Sequence, residues 1–182
     1  MGDAKQLLDV GGQTMLSAVL KPLSASRVDG IVLVTHSAIA AGLGKEQLRD
    51  VFVAINDDET TEMIDSIRIG LSTWRRQTTV RERDGFLVCP GDHPGIGTAD
   101  FDACVDAYGN NPDRIVIATH NHRRGHPIVF PASFASFVRS EPCDAGLNVL
   151  PRANPDRILT VPCSSPAVTG DVDTPEDYRR LH

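Results

Sequence analysis

Met1-Gly2-Asp3-Ala4-Lys5-Gln6-Leu7-Leu8 heads the chain and reads as the second half of a phosphate-binding loop whose first half is absent. Gly2 leaves room for backbone N–H groups to meet phosphate. Lys5, three residues on, adds an ammonium before the chain turns apolar and enters a helix. Taken alone the signal is weak, and a polar chain end with a solvated lysine is the plainer reading. The segments that follow give it a setting. Met15, Leu16, Val19, Leu20 and Leu23 recur at helical spacing between Thr14 and about Ser26, and Ile31 to Thr35 is a continuous β-rich run.

The alternation continues. Lys45 to Asp50 is expected as a short helix and Val51 to Ile55 as a strand. Met63, Ile64, Ile67 and Leu71 mark one face of a helix ending near Arg76. Gly85 to Cys89 is a strand, Thr98 to Tyr108 a helix, Arg114 to Thr119 a strand, Pro131 to Arg139 a proline-opened helix and Ile158 to Val161 a late strand. Such alternation predicts a single α/β domain over residues 1–182, with a mostly parallel sheet covered on both faces and ligands beyond the carboxyl ends of the strands. Gly11 and Gly12 fit no Walker or dinucleotide fingerprint and read as a turn.

Composition narrows the partners. The chain has 182 residues, 41% hydrophobic and 23% charged, enough for one sizeable core. A formal charge of −6 disfavours nucleic acid but not a mononucleotide, whose phosphates a local site and a metal can handle. Cys89, Cys104, Cys143 and Cys163 form no Cys-x-x-Cys pair and follow no secretory leader, so reduced thiols in a cytoplasmic protein are expected. Apolar runs such as Gly30 to Val34 are too short for a bilayer, and no membrane partner is expected.

Three segments carry candidate chemistry. Cys89-Pro90-Gly91-Asp92-His93-Pro94 follows a strand, which puts Asp92 where a hard divalent cation can take one carboxylate and fill its remaining positions with water and phosphate oxygens; a plain turn aspartate is the alternative. Asp171-Val172-Asp173-Thr174-Pro175-Glu176-Asp177-Tyr178 places Asp171 and Asp173 on one face of an extended segment. Thr174 and Asp177 there also suit helix capping alone. Thr119-His120-Asn121-His122-Arg123-Arg124-Gly125-His126-Pro127 is the most polar cluster. Its spacing fits no zinc finger, and its arginines offer forked donors to a phosphate or a pterin substituent before the chain turns into the strand at Ile128, unless they are simply solvated.

Taken together, these motifs resemble the MobA-like nucleotidyltransferases, and within them the molybdenum cofactor cytidylyltransferases. The family opens Leu-Ala-Ala-Gly-x-Ser-x-Arg-Met-Gly-x-x-Lys-x-Leu-Leu, and this chain matches from the Met onward. It shares the Gly-Asp of Gly-Asp-Gln-Pro at Gly91-Asp92, Arg-Arg-Gly-His-Pro at 123–127 and Asp-x-Asp-Thr-Pro-Glu-Asp at 171–177. Ser66-Ile67 follows a family Ser-Ile pair. Departures are His93 for glutamine, Glu62 for glycine, Cys143 for glycine and Asn148 for arginine.

The resemblance implies a three-layer Rossmann-like fold lacking its N-terminal strand, which would leave two unpaired strand edges. It implies nucleotidyl transfer from CTP or another NTP, with Mg²⁺ as cofactor. Lys5, Asp92 and Asp173 would be catalytic; Gly2, Lys5, Ser66, Gly91 and Asp92 would bind nucleotide; Asp92 and Asp173, with Asp171, would bind metal; and Arg123, Arg124, Gly125 and His126 would bind the acceptor. That acceptor would be the molybdenum cofactor or another phosphorylated compound such as a sugar phosphate or alcohol phosphate, with molybdoenzyme maturation proteins as candidate partners. A binding or regulatory homologue that has lost activity is the remaining alternative.

Overall fold

A computed structural model describes residues 5–172 and 174–179. After a 3-10 turn at Lys5–Leu7, a hairpin of β1 (Asp9–Val10) and β2 (Gln13–Thr14) turns through Gly11 and Gly12, whose φ of +61° and +84° suit glycine. Thr14 then caps α1 (Met15–Ser24) by accepting from the Ser17 N–H at 3.2 Å. β3 (Ile31–Thr35), α2 (Ser37–Gly42), β4 (Val51–Ile55), α3 (Met63–Gln77), β5 (Gly85–Val88) and α4 (Thr98–Asn110) follow. The remaining elements are β6 (Ile115–His120), β7 (Arg123–Pro131), α5 (Ala135–Val138), α6 (Val149–Ala153), β8 (Ile158–Pro162) and α7 (Pro175–Arg179).

The strands form layers between helices. β6 is buried on both faces, which is why it opens with the apolar run Ile115-Val116-Ile117-Ala118. Ile115 and Ile117 meet Ile64 and Leu71 of α3 together with Phe130, Val138 and Leu150, whereas Val116 and Ala118 meet Phe101, Cys104 and Tyr108 of α4. α1 covers β3 through Leu16, Leu20, Ile31 and Leu33. α3 also reaches this pair, with Gly70 against Val34 and Trp74 against Gly30 and Phe52. Helices therefore lie on both sides of the strands, in the expected α/β arrangement.

The sheet is mixed rather than mostly parallel. β3 and β4 are parallel, as are β6 and β8, but β7 runs antiparallel to both β5 and β6, giving the order β5-β7-β6-β8 in a four-stranded sheet separate from β3-β4. The cause is a two-residue hairpin at Asn121 and His122, both at positive φ, where a longer loop was expected. Arg123 and Arg124 consequently belong to β7.

Two helix expectations also change. Residues 45–50 form turns, with the Gln47 side chain accepting from the Gly44 N–H and Asp50 at φ +60°. The helix is α2 instead, opened by the His36 ring, which accepts from the Ala38 N–H, and by Asp57, which accepts from the Ser37 N–H. Pro131 ends β7 rather than opening a helix, because the Ala132 N–H continues the pairing by donating to the Asp84 carbonyl; only Ala135–Val138 is α-helical.

Candidate active site

At the carboxyl end of β5 the chain leaves Val88 through Cys89, Pro90 and Gly91 to Asp92. Lys5, 87 residues away in sequence, donates from Nζ to Asp92 Oδ2 at 2.8 Å, and the two side chains are 18% and 21% exposed. The same ammonium approaches the Val172 carbonyl at 3.5 Å, and the Val172 N–H donates to the Asp92 carbonyl at 3.1 Å. The stretch containing Asp171 is thereby held against the Asp92 turn. Asp171 is exposed, and Thr174 and Asp177 cap α7 reciprocally as expected. Gly2 and Asp173 lie outside the described residues.

Asp92 Oδ1 is buried and has no hydrogen-bond partner. So is His126 Nδ1. The rings of His93 and His126 meet edge to face, with centroids 5.2 Å apart. Buried His93 has Nδ1 2.9 Å from the Ala167 carbonyl, which can only accept, so in the neutral ring Nε2 carries the lone pair. That nitrogen lies 3.9 Å from Asp92 Oδ1. Burial holds the His126 pKa down to about 4, with His93 adding to the effect against a hydrogen bond to the Val88 backbone. Burial and the charge of Asp92 push the Cys89 thiol up to about 12. The site is thus rich in acceptors and poor in donors, and a buried acceptor without a donor is costly.

A bulge brings His126 here. β6 and β7 pair Ile117 with Ile128 and Thr119 with Arg124, so Gly125, His126 and Pro127 oppose Ala118 alone. Glycine at 125 is required, because a Cβ there would sit 1.7 Å from the Val168 carbonyl. This close approach seats the 3-10 turn Pro166–Thr169 on β7 and leads the chain to Val172.

Lys5, Gly91, Asp92 and the Asp171 stretch meet in one place, and His126 joins them. Arg123 and Arg124 are exposed beside the hairpin. Ser66 sits half-buried on α3, and no hydrogen bond or ion pair described here ties it to Lys5 or Asp92. Sequence reasoning missed the roles of His93, known only as a departure from the family pattern, and of the Val172 backbone, for which no side chain signals. Surface depressions of ≈ 490 Å³ beside Arg75 and Arg81 and ≈ 290 Å³ beside His120 and His122 do not include Lys5, Asp92 or His126; the unpaired Asp92 oxygen points to chemistry more specifically than concavity does.

Among the described residues no three metal-ligand side chains converge. The donor chemistry nevertheless fits a hard divalent cation, which takes one or two carboxylates. Lys5 occupies one oxygen of Asp92 and leaves the other without a donor. Among the described residues no helix is long and apolar enough to cross a membrane.

The layered α/β fold together with a family match makes this a nucleotidyltransferase-type enzyme. More narrowly, the chain belongs to the MobA-like NTP transferase family, whose domain matches residues 1–158. Rv0371c of Mycobacterium tuberculosis H37Rv is similar over all of this chain and 89% of its own, with 26% identity and a TM-score of 0.80. Rv0371c in complex with manganese is similar over 97% and 90%, with 26% identity and a TM-score of 0.76. A nucleotidyl transferase of Methanothermobacter thermautotrophicus shares the fold at 21% identity, over 97% of this chain and 82% of its own, with a TM-score of 0.72. No curated protein matches the sequence.

Proposed function

We propose that the chain is a CTP:molybdopterin cytidylyltransferase. A phosphate oxygen of the acceptor attacks the α-phosphorus of CTP, the bond from that phosphorus to the β-phosphate oxygen breaks, and pyrophosphate leaves as the cytosine dinucleotide form of the cofactor is made. The reading rests on one observation, the buried oxygen of Asp92 left without a donor while Lys5 holds the other. The CTP and acceptor assignments rest on the motif resemblance. Similar folds bearing on CTP include a CMP:2-keto-3-deoxy-manno-octonic acid synthetase complexed with CTP, at 15% identity.

Lys5 exchanges part of its bond to Asp92 for the triphosphate and neutralises charge as pyrophosphate separates. Asp92 would hold Mg²⁺ together with Asp173 and Asp171. When bound, that ion would supply charge neutralisation on the triphosphate. Gly2, Gly91 and Ser66 bind the nucleotide, and Gly125 permits the close fit of the acceptor strand. Arg123 and Arg124 bind the acceptor's phosphate with forked donors. His126, neutral at physiological pH, accepts a hydrogen bond from the acceptor through Nδ1. The protein works in the cytoplasm, and maturation proteins of molybdoenzymes receive the product.

Calorimetric titration with CTP and Mg²⁺ tests the assignment. Asp92→Ala is expected to abolish metal-dependent CTP binding in a folded chain, whereas Arg124→Ala keeps nucleotide affinity and raises the KM for molybdopterin. Unchanged CTP affinity in Asp92→Ala removes Asp92 from the site. Turnover with a sugar phosphate but none with molybdopterin replaces the acceptor.

A further inference from the structure

Away from this site, β4 is an edge that nothing described covers. It pairs on one side only, with β3, in unbroken parallel register from Val51 to Ile55. Its residues are Val-Phe-Val-Ala-Ile, without a charge, a proline or a bulge, the devices by which edge strands ordinarily resist pairing. The large apolar side chains most open to solvent among the described residues cluster on it and at the start of α3: Phe52 at 40%, Val53 at 37%, Ile55 at 48% and Met63 at 49% exposed. Phe52 leans on Trp74 from one face, while Val51 packs toward the α1 and α2 side on the other, so apolar surface borders the edge on both faces.

The backbone is set for a partner. The Asn56 N–H donates to the Thr35 carbonyl of β3, and the alternation of a strand then turns the peptide groups of Val53 and Ile55 outward. The Val51 N–H is taken by the Leu48 carbonyl, which leaves the Val51 carbonyl as an outward acceptor.

We propose that β4 pairs antiparallel with β4 of a second copy about a two-fold axis at Val53, forming a homodimer through a continuous sheet. In this register Val53 exchanges both its peptide hydrogen bonds with the second copy's Val53, and the Ile55 N–H donates to the second copy's Val51 carbonyl. Phe52 meets Ala54 on one face and Val51 meets Ile55 on the other, so each contact occurs twice, as a two-fold interface requires. Charge favours this direction. The exposed segment before the strand balances Lys45 and Arg49 with Glu46 and Asp50, while exposed Asp57, Asp58 and Glu59 follow it with no basic residue among them. Antiparallel pairing sets each acidic end beside the other copy's charge-balanced end, with Arg49 across from the second copy's Asp57; parallel pairing would set the two acidic ends against each other.

Sedimentation over a concentration series of the full chain tests the dimer, with Val53→Lys as the variant because two lysines would face each other across the axis. The wild type is expected to be a reversible dimer, and Val53→Lys to raise its dissociation constant by about tenfold or more with unchanged circular dichroism and CTP binding. A wild type that stays monomeric throughout, or a Val53→Lys protein that dimerises as well as the wild type, overturns the proposal. Should Val53→Lys fail to fold, amide exchange of the wild type decides: slower exchange at Val53 and Ile55 in concentrated than in dilute protein supports the interface, and equal rates refute it.

Discussion

Two of the ion pairs that join distant parts of this chain differ in what they leave undone. Arg68 of α3 holds Asp144 at 2.6 Å and also donates to the carbonyls of Val138 and Ser140, so its donors are spent on fastening the segment after α5. Lys5 holds Asp92 at 2.8 Å, yet Asp92 Oδ1 stays buried without a donor. A satisfied pair holds a fold together. A half-satisfied buried carboxylate is retained against its own cost, and a ligand that repays that cost is the physical explanation.

The first contrast to test is between the two aspartates. Asp92→Ala is expected to cut pyrophosphate release by about 100-fold or more with little change in melting temperature, and Asp144→Ala to do the reverse, leaving release within about twofold while lowering the melting temperature by a few degrees. Comparable loss of activity in both variants would erase the distinction. Paired stopped-flow and thermal-melt measurements settle it.

Gly125→Ala comes next, because the added methyl meets the Val168 carbonyl at 1.7 Å and the bulge has no room to give. A loss of about 2–3 kcal/mol is expected in urea unfolding, together with weaker CTP binding as the Val172 stretch lifts from Asp92. A fully stable Gly125→Ala protein would show that the bulge does not seat that stretch.

A smaller effect concerns pH. His126 has its pKa lowered from 6.5 to about 4 in the folded chain. The unfolded chain therefore binds more protons between those values, and stability is complete above about 6.5 and lost as pH falls toward 4. The loss on that limb is on the order of 3 kcal/mol for the metal-free protein, and His126→Asn is expected to flatten it in denaturant titrations across the range. An unchanged limb would assign it to other groups. Smallest is Arg124→Ala, whose exposed side chain is expected to raise the KM for the acceptor by about tenfold or less without altering CTP affinity in steady-state assays.

Where local pattern and burial agree, the fold is legible in the residues. β6 reads as a strand because both its faces are buried, and α3 reads as a helix because Ile64 and Leu71 share its core face. Met63, assigned to that face by spacing, is exposed because it stands at the first turn beside the open edge of β4. α2 escaped notice because its start depends on Asp57, which reaches Ser37 from 20 residues away. The hairpin at Asn121 and His122 was hidden for another reason: neither residue announces a left-handed turn as glycine does, so the arginines after it passed for a loop. Lys5 and Asp92 could be singled out from their motifs, but their contact could not. The burial of His126 and the support of His93 depend on carbonyls of Val88 and Ala167, which no side-chain pattern encodes.

Electron paramagnetic resonance of Mn²⁺ with CTP, comparing the wild type with Asp92→Asn, isolates the unpaired oxygen, since asparagine preserves shape and removes charge. CTP-dependent Mn²⁺ binding is expected in the wild type and a weakening of about 30-fold or more in the folded variant. Equal Mn²⁺ affinity in the two proteins would mean that the buried oxygen of Asp92 is not the metal's ligand.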